Sequence, residues 1–144
     1  MPLRVVLDTN VLVAALRSRQ GASFALLQRL AAATPGYEVY VSVPLVFEYE
    51  DVLRRQAATI GLPMFVVDDV LDFVCSVAYH QAIFFLWRPA LRDPGDDMVL
   101  ELAVAAGADF VVTFNTRDFA GSERFGLRVV RPGELLRLLD GEED

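Results

Sequence analysis

Strand-length apolar segments alternate with helix-length amphipathic ones along this chain, and that alternation restricts its fold more than any other feature. Leu3–Leu7, Glu38–Ser42, Ala82–Leu86, Asp109–Thr113 and Leu127–Val130 have the length and the β-branched or aromatic content of strands. Between them, Asn10–Arg17, Ser23–Ala33, Pro63–Ala78, Asp96–Ala106 and Pro132–Leu139 carry helical periodicity. A further helix opens near Pro44, with Leu45, Tyr49, Val52 and Leu53 as its apolar stripe. Ser23 stands where an N-cap belongs. Strands that alternate with helices form a mainly parallel sheet covered on both faces, so the expected architecture is a three-layer α/β/α sandwich. We expect one domain over residues 1–139 and a frayed acidic tail over 140–144.

Composition removes several functions. All 13 basic residues are arginine, and without lysine there is no Walker A loop, Schiff base or receiver-type site. One cysteine (Cys75) and one histidine (His80) cannot build a disulfide or a Cys/His zinc site within the chain. Cys75 reads as core filler and His80 as a surface or interface residue. No apolar run approaches a membrane span, and the first eight residues reach an acid too early for a signal peptide, so the expectation is a cytoplasmic protein with no membrane contact. A formal net charge of −7 argues against a simple basic nucleic-acid groove, but not against phosphate binding through a cation.

In open parallel sheets ligands bind beyond the carboxyl ends of the strands, and here those ends carry acids and amides. Asp8-Thr9-Asn10 follows the first strand, where capping of the next helix is the competing account. Glu48 lies one turn into the helix after the second strand, at the edge of the apolar stripe; a solvated flank beside Arg55 is its bland alternative. Asp93, Asp96 and Asp97 open the fifth helix. First-turn acids suit its dipole, but Asp96 alone shares the face of Val99 and Ala103, leaving Asp93 and Asp97 as caps or supporting groups. Asn115 and Asp118 follow the fourth strand, where an Asx turn would also account for them, and Thr113 at that strand's end can hydrogen-bond a carboxylate. Carboxylates this close need a compensating cation, and oxygen ligands without His or Cys suit Mg²⁺ or Mn²⁺.

Val5-Val6-Leu7-Asp8-Thr9-Asn10-Val11-Leu12, Glu48-Tyr49, Asp93-Pro94-Gly95-Asp96-Asp97 and Val112-Thr113-Phe114-Asn115-Thr116-Arg117-Asp118-Phe119 together resemble the PIN domain, specifically its prokaryotic toxin–antitoxin (VapC-like) branch. That resemblance spans about Arg4 to Leu139. It implies a metal-dependent ribonuclease, often dimeric and silenced by a cognate antitoxin. Asp8, Glu48 and Asp96 would be the core acids and Asp118 the fourth. Asn10 and Thr113 would support them. Many members carry Asp where this chain has Asn115, which bears on the fourth ligand and on a second metal ion. The implied chemistry is in-line hydrolysis leaving 5′-phosphate and 3′-hydroxyl ends. The alternative is a non-catalytic PIN-like domain that binds RNA or protein. A haloacid-dehalogenase-type phosphatase fits less well, because Asn10 stands where its second Asp belongs. Phe84, Phe85 and Trp87 form an aromatic patch suited to core or interface, and Arg88 and Arg92 can meet phosphates or nearby acids.

Overall fold

A computed structural model of the chain describes residues 2–83 and 94–141, with the side chains of residues 94–96 outside that set. Five strands form one parallel sheet: β1 (Leu3–Leu7), β2 (Tyr37–Val41), β3 (Tyr79–His80), β4 (Phe110–Val112) and β5 (Arg128–Val130). Their order is β3-β2-β1-β4-β5, and every neighbouring pair is parallel. The helices α1 (Thr9–Arg17), α2 (Ala22–Arg29), α3 (Val43–Ile60), α4 (Met64–Val77), α5 (Pro94–Ala105) and α6 (Pro132–Leu139) build the outer layers of the expected α/β/α sandwich. Among the described residues no helix is long and apolar enough to cross a membrane.

Burial explains the sheet. Val5, Val6, Leu7, Val111 and Val112 are all at 0% exposure, so β1 and β4 are covered on both faces, while β2 buries Val39 and Val41 on one face and leaves Glu38 and Tyr40 half-buried on the other. The chain lays down β1, β2 and β3 in one direction, then returns to place β4 on the other side of β1. That reversal creates a switch point between β1 and β4, and the crevice beyond their carboxyl ends is where such folds bind ligands.

Local signals set the helices that frame this crevice. Ser42 accepts from the Leu45 N–H at 3.3 Å, and Pro44 occupies the first turn of α3. A cap of this kind contributes about 1 kcal/mol. Leu45, Tyr49, Leu53 and Ala57 form the buried face of α3, whereas Val52 is only half-buried. Tyr49 donates its hydroxyl to the carbonyl of Leu7, tying α3 to the last residue of β1.

Several expectations need correction. Gly21, not Ser23, caps α2; Ser23 lies buried inside the helix, and its hydroxyl has no partner among the described residues. The same helix stops at Arg29 and breaks into turns before Ala33. The third strand forms at Tyr79–His80, ahead of Ala82–Leu86, of which residues 84–86 fall outside the described set. Cys75 is half-buried rather than core, and burial still pushes its thiol pKa up. Asp140, assigned to the tail, closes α6 and pairs with Arg29. Phe84, Phe85, Trp87, Arg88 and Arg92 lie outside the described residues, as do 142–144.

Candidate functional site

No loop separates β1 from α1, and this places Asp8. Its backbone N–H still pairs with β4, donating to Val112 at 2.9 Å, while its side chain already caps the helix, Oδ1 accepting from the Thr9 N–H at 2.8 Å. The capping considered for this segment therefore belongs to Asp8, and Asn10 is inside the helix. The second carboxylate oxygen remains for the crevice. Asp8 Oδ2 accepts from Thr113 Oγ1 at 2.7 Å and from Asn10 Nδ2 at 3.3 Å. The parallel register that sets Leu7 beside Val112 brings Asp8 and Thr113 level.

Thr113, at 0% exposure, is fully committed. Its oxygen accepts from Asn10 Nδ2 at 3.2 Å and from the Asn115 N–H at 3.0 Å. A hydroxyl has two lone pairs and one proton, so its proton is directed to Asp8. The network thus holds Asp8 as an acceptor, the form a metal ligand needs.

Glu48 joins from α3. Thr9 Oγ1 donates to Glu48 Oε2 at 2.6 Å, while the Thr9 backbone caps onto Asp8, so one buried residue links the two carboxylates. Arg55, the expected neighbour of Glu48, pairs instead with Asp51 at 2.9 Å. Tyr49 beneath them is completely buried, and its phenol pKa is raised well above the ordinary value, first by burial and then by the charges of Asp8, Glu48 and Cys75. It therefore stays a proton donor to Leu7 at neutral pH.

Thr9 was not singled out by the sequence reading. Its signal was available: it precedes Leu12 by one turn on the buried stripe of α1, where a hydroxyl needs a partner. The remaining candidates divide. Asn10 Oδ1 accepts from the Phe114 N–H at 3.2 Å and so belongs to the network. Asn115 contributes its backbone, but its side chain is exposed. Asp118 is exposed on a 3-10 turn (Thr116–Phe119), its N–H donating to the Asn115 carbonyl at 3.0 Å, and its carboxylate makes no bond to this network. Asp97 is half-buried in the first turn of α5. Asp93 and the side chain of Asp96 lie outside the described residues.

Among the described residues no three acids, histidines or cysteines gather into a metal site. The donors that do converge are all oxygens, with Asp8 and Glu48 as the charged members, and that chemistry fits a hard divalent cation. Comparison with known families gives a match to the model described as PIN domain over residues 4–117. The match covers Asp8, Glu48, Asp96, Thr113 and Asn115 and ends one residue before Asp118. Comparison with curated proteins gives no match.

Proposed function

This chain belongs to the PIN-domain family, whose members are in general nucleases, and on that premise we propose that it is a Mg²⁺- or Mn²⁺-dependent endoribonuclease. The observation that supports this reading best is the Asp8–Thr9–Glu48 bridge at the sheet's switch point, with Thr113 fixing Asp8 from the neighbouring strand. Asp8 and Glu48 would hold the ion together with Asp96, which periodicity assigns to the sheet-facing stripe of α5. When bound, the ion supplies charge compensation for the phosphodiester and acidity for the attacking water.

The chain's own groups set the conditions for that chemistry. Thr113 and Asn10 orient Asp8, and Thr9 holds Glu48 against the end of β1. A bound cation would compensate the charge that Asp8 and Glu48 bring to this edge of the sheet. The biological setting we propose is the toxin of a toxin–antitoxin pair, acting in the cytoplasm as a homodimer on RNA and silenced by a cognate antitoxin. Asp118 and Asn115 would border the strand path.

The test is cleavage of single-stranded and structured RNAs by purified chain, free of other proteins, with Mg²⁺, Mn²⁺ or EDTA. Products are expected with either metal and none with EDTA. Metal-independent products would overturn the metal dependence, whereas no products under any condition, together with no calorimetric metal binding, would favour a PIN-like domain that binds RNA or protein without cutting. A finer expectation concerns Thr9→Val, which keeps the shape and removes the hydroxyl. Groups that orient metal ligands typically contribute about 10–100-fold to affinity or activity. Thr9→Val should therefore raise the Mg²⁺ concentration for half-maximal rate by about that factor, with the unfolding midpoint nearly unchanged. An unaltered metal requirement would separate Glu48 from the ion.

A further inference from the structure

We propose that Arg131 is a phosphate-binding residue that positions the RNA strand beside Asp8, an inference that rests on the nuclease reading above. Arg131 follows β5 directly, so it stands at the same carboxyl edge as Asp8 and Thr113. Its guanidinium lies over the Phe114 ring at 5.1 Å, and its Nη1 donates to the Phe114 carbonyl at 3.0 Å. The Phe114 N–H in turn donates to Asn10 Oδ1, and Asn10 donates to Asp8. A side chain linked to Asp8 through Phe114 and Asn10 is thus clamped from one side by a ring and by a carbonyl, while the residue remains exposed.

Charge makes the placement informative. In a chain of net charge −7, RNA can be attracted only by local cations. Arg29, Arg54 and Arg55 are each committed to carboxylates, whereas Arg131 makes no salt bridge among the described residues. Arg131 also occupies the N-cap position of α6, where Ser, Thr, Asp or Asn would accept a helix N–H and arginine cannot. Glu134 accepts from the Arg131 N–H at 3.2 Å, so the backbone is capped while the guanidinium, anchored on Phe114 and without a salt bridge among the described residues, presents a fork with the geometry that recognises a phosphate.

The experiment measures binding of a fluorescein-labelled single-stranded RNA of about 12 nucleotides. It uses the full chain carrying Asp8→Asn, with Mg²⁺, across a salt series. Adding Arg131→Gln should raise Kd about tenfold and lower the slope of log Kd against log salt by about 0.7, the value for one lost single-strand phosphate contact. Arg131→Lys should restore the slope and only part of the affinity. In the cleaving chain, Arg131→Gln should raise KM more than it lowers kcat. Arg17→Gln, which removes an equal charge at the far end of α1, is the control and should move neither quantity comparably. If RNA is bound and cut but Arg131→Gln changes only the melting temperature, the inference fails and the nuclease reading stands. If the parent chain neither binds nor cuts RNA, both fail.

Discussion

Asp8→Asn should abolish cleavage, by at least about 10³-fold, while the chain keeps its fold. The substitution preserves shape and removes one charge at the point where α1, β1 and β4 meet. Asn can still accept from the Thr9 N–H through its oxygen, so the cap of α1 survives. Its amide then faces Thr113 Oγ1 and Asn10 Nδ2, and the Thr113 hydroxyl already accepts twice. Two donor–donor contacts result, each costing about 1–3 kcal/mol unless Thr113 and Asn10 rearrange, against which the relief of a buried charge works in the opposite direction. The net stability change is thus small beside the loss of a ligand. Circular dichroism and a urea midpoint near wild type, together with no metal-dependent product on gels, are the expected pair of results. Full activity in this variant would remove Asp8 from the site, whatever its neighbours do. An unfolded variant would show instead that the carboxylate chiefly holds the β1–α1 junction together.

How much of this was legible depends on whether a feature is set by local pattern or by register. β1, β2, β4 and β5 were readable because short β-branched runs bounded by polar residues have few alternatives. The start of α3 was readable from Ser42 and Pro44. Topology then carried Asp8, Glu48 and Thr113 to one sheet edge, since each follows a strand. The hydrogen bonds among them were not readable. Whether Thr113 lies level with Asp8 depends on the pairing of Leu7 with Val112, which no local propensity fixes. Thr9 escaped for a related reason: its value lies in a contact with Glu48 across 39 positions. The edge strand β3 escaped because nothing hydrophobic specifies it. It pairs Tyr40 with Tyr79 and Val41 with His80, exposes both of its residues, and is aided by the stacking of Tyr40 on Tyr79 at 5.2 Å. Its pattern is therefore set by a partner strand rather than by alternation.

The rotation of α3 about its axis can be tested by a matched pair of truncations. Leu53 is at 0% exposure, on the face that packs against α1 and α4, whereas the adjacent Val52 is half-buried. Leu53→Ala should destabilise the chain by about 2–5 kcal/mol, the transfer loss plus a cavity that the fully buried neighbours Leu45, Tyr49 and Ala57 cannot close. For a domain whose total stability is roughly 5–15 kcal/mol, that is a large fraction. Val52→Ala removes fewer atoms from a partly wet position and should cost under about 1 kcal/mol. Urea unfolding followed by circular dichroism separates the two through their midpoints at equal slope. Equal effects, or a larger loss at Val52, would mean that α3 is rotated, and Glu48 would then no longer face Thr9. Activity gives the second reading. Because Leu53 acts through packing alone, Leu53→Ala assayed well below its melting temperature should retain the wild-type Mg²⁺ requirement, the opposite of what removal of the Thr9 hydroxyl should do.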